Sequence, residues 1–216
     1  MNDNQNPEII KIVIIGQSSV GKTSIISQFV EKTFQQDVQS TVGGSFNSKS
    51  IKCEDLNKTL KLEIWDTAGQ ERYRSVTKMF YKDADVALLV YDITNLSSFE
   101  DLQSYWVQQV LECSLKKTML IIVANKSDLI EKELVDEEEV RNYAKSIDAH
   151  FFIVSAKNSD SVNEMFKEIA KKFSGAKKVS IIDGEEDNQY QFKKMRKDSV
   201  RVSKIKDKDK KKKKCC

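Results

Sequence analysis

The sequence predicts an α/β fold: a mainly parallel six-stranded sheet with one antiparallel edge hairpin and helices on both faces. Three observations carry this. Short apolar runs rich in β-branched residues alternate with helical segments, the rhythm of strands joined by crossover helices. Between Phe46 and Trp65 the pattern changes to strict apolar–polar alternation about a polar turn. Helix-start signatures fall between the runs, where crossover helices must begin.

Along the chain, Ile9-Ile10-Lys11-Ile12-Val13-Ile14-Ile15 is a buried strand stopped by Gly16, because β-branched residues dominate it. A glycine loop and a helix follow. In the alternating stretch Leu60, Leu62 and Ile64 share one face and Lys61 and Glu63 the other, and Glu54-Asp55-Leu56-Asn57 supplies the turn of the hairpin. The runs Val86–Tyr91, Met119–Ala124 and Phe151–Val154 complete the six strands. Ser97-x-x-Glu100, Asp136-x-x-Glu139 and Ser161-x-x-Glu164 each set an N-cap acceptor three residues before an acid that can bond back. In the last helix Val162, Met165, Phe166, Ile169, Ala170 and Phe173 recur at helical spacing, a core stripe. The periodicity ends at Ser174-Gly175. The expected division is a flexible N-terminus over 1–7, one domain over 8–174, and a disordered basic tail over 175–216 that is too polar to bury an ordering core.

A chain of 216 residues suits one domain plus a tail. Net charge is +3, yet Lys193–Lys214 carries thirteen Lys or Arg against three Asp, so a tail of +10 hangs from a remainder of −7. No run approaches the ~18–20 apolar residues of a membrane span, the N-terminus has no basic-then-apolar leader, and Asn2 excludes N-myristoylation. A cytosolic chain is expected. Cys53, Cys113, Cys215 and Cys216 form no C-x-x-C pair, and with the single His150 they support neither zinc nor a disulfide framework. His150 opens an apolar strand and reads as structural.

Gly16-Gln17-Ser18-Ser19-Val20-Gly21-Lys22-Thr23 matches G-x-x-x-x-G-K-[ST] between a strand and a helix. With glycine near 7% of average sequence, the bare pattern is about a 1% accident in such a chain. The loop from Gly16 through Ser18, Ser19, Val20 and Gly21 to Ser24 can wrap phosphates with backbone N–H groups at a helix N-terminus, Lys22 can reach the β- and γ-phosphates, and the Thr23 hydroxyl can bind Mg²⁺. Asp66-Thr67-Ala68-Gly69-Gln70 ends the second hairpin strand. It points Asp66 toward Mg²⁺ through water, leaves the Gly69 N–H for the γ-phosphate and lets Gln70 orient the attacking water; an amide suffices, because phosphoryl transfer asks for positioning more than for a strong base.

Asn125-Lys126-Ser127-Asp128 follows a strand end. The Asp128 carboxylate can accept from guanine N1–H and its 2-amino group, whereas adenine would leave it unpaired. Ser155-Ala156-Lys157 adds a backbone N–H that can reach guanine O6.

GQSSVGKT, STVGGSF, WDTAGQERY, YDIT, NKSD and SAK, in this order between Gly16 and Lys157, resemble the Ras superfamily, and WDTAGQERY with a terminal Cys-Cys resembles the Rab family. The resemblance implies a P-loop NTPase G domain acting as a small GTPase with GTP or GDP and Mg²⁺. It implies that Thr41 binds Mg²⁺ through its hydroxyl and the γ-phosphate through its N–H, which adds Thr41 to Lys22, Gly69 and Gln70 as the catalytic set. It places Phe34 on the guanine. Phe46, Trp65 and Phe80 would form an effector surface, or else plain hairpin core. Further implied partners are an exchange factor, a GTPase-activating protein, a GDP-dissociation inhibitor and an escort protein that delivers Cys215 and Cys216 for geranylgeranylation. The lysine run beside those cysteines then favours a membrane over nucleic acid. STVGGSF and YDIT lean toward the endosomal branch, hence the cytoplasmic face of endomembranes with a cytosolic pool. No arginine lies between Glu31 and Phe46 to act in cis, so hydrolysis should be slow. The alternative function is a nucleotide-binding scaffold without significant turnover.

Overall fold

The computed structural model describes residues 7–36, 41, 44–67, 69, 80–113 and 117–182. Expectations that fall on the first six residues, on Ala68 and Gln70, and on the chain from 183 onward with Cys215 and Cys216 lie outside the described residues.

The strands are β1 (Glu8–Ile15), β2 (Gly44–Cys53), β3 (Lys58–Thr67), β4 (Val86–Asp92), β5 (Met119–Asn125), β6 (His150–Ile153) and β7 (Val179–Ile181). They form one sheet in the order β6-β5-β4-β1-β3-β2-β7. β1 pairs in parallel with β3 and β4, β4 with β5, and β5 with β6, while β2 is antiparallel to both β3 and β7. The helices are α1 (Lys22–Val30), α2 (Leu96–Asp101) continued through a π-helical turn (Leu102–Trp106) into α3 (Val107–Cys113), α4 (Glu137–Ser146) and α5 (Ser159–Ser174), with a 3₁₀ turn over Ser127–Lys132.

Side chains alternate across a strand, so each buried strand feeds two cores. Ile10, Ile12, Ile14, Leu88 and Val90 join Ile25 and Phe29 of α1 and Phe166 and Ile169 of α5 on one face. Phe29 and Phe166 stack there with ring centroids 3.8 Å apart. Val13, Ile15, Leu89, Tyr91 and Ile122 meet Phe99, Leu102, Trp106, Val140 and Ala144 on the other. The predicted stripe of α5 is buried from Val162 to Ala170, with Phe173 at its margin. No helix among the described residues is long and apolar enough to cross a membrane.

Three expectations are corrected. Seven strands are described rather than six, and order continues past Gly175. The segment after α5 lies along the β2 edge, where Asp55 accepts from the N–H groups of Lys177 (2.8 Å) and Lys178 (3.2 Å), the Glu54 N–H donates to Lys178 O (2.9 Å), and the Ile182 N–H donates to Ser50 O (3.0 Å). Of the three expected caps only Asp136 acts as one, accepting from the Glu139 N–H at 2.9 Å. Asn158 caps α5 through the N–H groups of Asp160 and Ser161. Ser161 is inside that helix, and Asn95, not Ser97, precedes α2.

Candidate nucleotide-binding site

Parallel strands that share a direction deliver their C-terminal ends to one edge of the sheet, and ligand sites of open α/β sheets lie beyond that edge. Here the loops after β1, β3, β5 and β6, with the loop between α1 and β2, meet around a cleft of about 390 Å³. Ser18, Ser19, Gly21, Lys22, Thr23, Ser24, Phe34, Thr41, Gly69, Asn125, Lys126, Asp128, Ala156 and Lys157 line it. Gly16, Val20, Asp66 and Ser155 stand behind this wall, each bonded to a residue that lines it. Gln35, Gln36 and Leu129 also line the cleft, and no sequence pattern marks them.

The loop after β1 leads straight into α1, whose N-cap Gly21 is left-handed (φ 94°) and gives no side-chain cap. The first N–H groups of the helix therefore face the cleft, a favourable seat for an anion. Any Cβ at Gly21 would collide with the Asn125 amide, so this backbone and that side chain require glycine. The Lys22 ammonium donates to Gly16 O (2.9 Å) and Gln17 O (2.8 Å). Burial pulls its pKa down to about 8, against the opposing pull of Asp66. Gly69 closes on the same point: a Cβ there would run into Lys22 Nζ and stand 2.6 Å from Gln17 O.

Beside Lys22, three oxygens from three segments converge. The Thr23 hydroxyl donates to Asp66 Oδ2 at 2.7 Å and lies 2.8 Å from the Thr41 hydroxyl. Thr67 anchors the end of β3 by donating to Ile14 O at 2.8 Å, which fixes Asp66. Asp66 is 1% exposed, and burial pushes its carboxyl pKa up in spite of Thr23 and Lys22. Its Oδ1 is buried with no hydrogen-bond partner among the described residues. A buried carboxylate with one oxygen unpartnered and the other bonded to one of two adjoining hydroxyls is a donor set for a hard divalent cation, so the residues fit Mg²⁺.

At the other end, the buried Asn125 donates to Val20 O (2.7 Å) and accepts from the Ala156 N–H (3.1 Å). The Ala156 N–H is thus engaged by Asn125. The Lys157 N–H likewise donates to Ser155 Oγ at 3.2 Å. Asp128 accepts from Ser155 Oγ (2.6 Å, Oδ1) and Lys157 Nζ (2.7 Å, Oδ2). Burial works to raise its pKa, but those two donors outweigh it and hold the carboxyl below its ordinary value. A carboxylate has about four acceptor sites, so Asp128 keeps capacity for two further donors. The Lys157 ammonium lies 5.9 Å over the Phe34 ring, which brings both side chains to one mouth of the cleft.

Phe46 and Trp65, paired across the hairpin, meet edge to face at 5.1 Å, and Trp65 and Phe80 at 5.6 Å. Phe80 is buried in the core while the other two are half-buried. His150 opens β6 at the end of the sheet away from the cleft; burial and Lys172 lower its pKa against Asp148. Among the described residues no cluster of three His, Cys, Asp or Glu could hold a metal.

A model of the Ras family matches residues 11–175. Ras-related protein RabC of Dictyostelium discoideum is 37% identical over 158 residues, which cover 73% of this chain and 80% of that protein.

Proposed function

The chain belongs to the Ras family, as a small GTPase of the Rab type, and we propose that it is a membrane-anchored switch of vesicle traffic that binds GTP and GDP with Mg²⁺, hydrolyses GTP slowly and recruits effectors in the GTP state. The observation that carries this is the meeting of Thr23, Thr41 and Asp66 beside Lys22, at one end of a cleft whose other end presents Asp128.

Thr23 and Thr41 would hold Mg²⁺ through their hydroxyls and Asp66 through water; the ion supplies charge neutralisation at the phosphate oxygens. Lys22 and the N–H groups at the start of α1 hold the β- and γ-phosphates and stabilise charge that develops on them. Thr41 and Gly69 approach this centre from two separate loops, so a γ-phosphate that engages both ties those loops together, and its loss releases them. Gln70 would orient the attacking water, a task for which an amide suffices because phosphoryl transfer asks for positioning more than for a strong base. Asp128 selects guanine by accepting N1–H and the 2-amino group.

Thr41, from a loop without arginine, supports slow turnover, on the order of 10⁻⁴–10⁻³ s⁻¹ with acceleration by an activating protein of about 10³–10⁵. Effectors would read the state at Phe46, Trp65 and Phe80. The Lys-rich end and Cys215-Cys216 support double geranylgeranylation through an escort protein, retrieval by a GDP-dissociation inhibitor, and residence on the cytoplasmic face of endomembranes of the endosomal branch.

Competition of GTP, GDP and ATP for the purified chain, followed by single-turnover hydrolysis, tests the core of this reading. Tight GTP and GDP binding without ATP competition, and a rate in the stated range, are expected. ATP binding as tight as GTP, or turnover near 1 s⁻¹ without a partner, would sink it. Intact mass of the chain purified from its own cells tests the anchor, which unmodified cysteines would refute.

A further inference from the structure

We propose that Asp92 is a positioning residue for guanine recognition, holding Lys126 in the wall of the cleft; this rests on the reading of the cleft as a guanine-nucleotide site. Asp92 does not line the cleft. It ends β4 directly opposite Asn125 in the β4–β5 register, with its side chain 8% exposed. Its Oδ2 pairs with the Lys126 ammonium at 2.6 Å. Its Oδ1 accepts from both the Thr94 N–H (2.9 Å) and the Thr94 hydroxyl (2.8 Å). With both oxygens engaged, the carboxylate cannot swing.

Lys126 needs such a hold. It sits left-handed at φ 67° and ψ 34°, a backbone state unusual for a residue with a Cβ, and opens the 3₁₀ turn that carries Asp128. Its side chain is one-third exposed, and a lysine stem left to water keeps most of its rotamer freedom, which a bound base would then have to remove. The pair to Asp92 removes it beforehand. The stem runs past the cleft to a charge fixed on a neighbouring strand, so that the wall beside the base stands ready and Asp128 keeps its place two residues on. The competing account is local: an aspartate bonding the N–H two residues ahead also shapes a turn, and under it Asp92 serves only the 92–95 loop.

A double-mutant cycle separates the two, read as the release rate of fluorescent GDP from the full-length chain. Asp92→Asn keeps an acceptor for Thr94 and loses the charge that holds Lys126; Lys126→Met keeps a long stem without the ammonium. Each single variant should release GDP about tenfold faster, and the double variant no faster than the worse single. Additive effects, about a hundredfold in the double, would overturn the proposal, as would an unchanged rate in Asp92→Asn. If Asp92→Asn does not fold, Thr94→Val takes its place: it loosens the carboxylate, so a smaller rise is expected that vanishes on the Lys126→Met background, and a rise that persists there overturns the idea. Wild-type chain that binds ADP as tightly as GDP would instead overturn the guanine reading itself, whatever Asp92 does.

Discussion

Nucleotide binding should take up a proton on Lys22, and the structure sets where. Between its ordinary 10.5 and about 8, at about 1.36 kcal/mol per pH unit, the buried site disfavours the charged ammonium by about 3 kcal/mol. Phosphate oxygens brought against Nζ reverse that penalty and restore the charge. The sign follows: above about pH 8 the free chain has lost the proton and the complex has not, so affinity is full below pH 8 and falls as pH rises toward 10.5, by up to about tenfold per pH unit. Folding of the nucleotide-free chain moves the other way, since the unfolded lysine binds more protons in that window and stability rises with pH across it. Calorimetry of GDP binding in buffers of different ionisation enthalpy measures the uptake directly. EDTA keeps Mg²⁺ from displacing a proton at Asp66, and pH 8.5 stays below the range where guanine itself ionises. A group at about 8 should take up about a tenth of a proton at pH 7 and about three quarters at pH 8.5. Equal uptake at the two values would refute the reasoning.

Asp128→Asn replaces an acceptor pair by an amide that suits xanthine, which presents N1–H and a carbonyl at C2; GDP affinity should fall at least about a hundredfold while xanthosine diphosphate gains, and unchanged GDP affinity in a competition assay would remove Asp128 from base selection. Asp55→Ala deletes both acceptors of the Lys177 and Lys178 N–H groups and should loosen β7 from β2. Cys53 is fully buried beside that strand, so in a background with the other three cysteines changed to serine its thiol should label about tenfold faster; an unchanged rate would mean the segment stays docked without Asp55.

What the sequence made legible was whatever rests on local pattern. The continuous apolar run before Gly16 and the alternation of Leu60, Leu62 and Ile64 announce strands because burial on two faces or one leaves opposite signatures. The phosphate loop is legible because its chemistry is contiguous. The caps of α2 and α5 were misread because Asn158, Ser159, Asp160 and Ser161 are all good cap residues, and the choice among them is made by how the chain leaves β6. β7 escaped because three residues, Val179–Ile181, show no period and pair with Ile51–Cys53 of β2, more than 120 positions away. Asp92 escaped for the same reason: its partner Lys126 is a neighbour only once β4 and β5 pair.

Asn125 has a kinetic consequence. One buried amide ties the phosphate loop at Val20 to the base loop at Ala156, so the cleft meets its ligand as a rigid receptor with two subsites at a fixed span. A nucleotide is then a two-headed ligand: with the base seated, the phosphates see their subsite at a high effective concentration, and the reverse holds too. Either end that slips off rebinds before the other lets go, which makes residence time the quantity this amide governs. Rapid exchange would then require prising the two loops apart, and weakening either end alone would accomplish less.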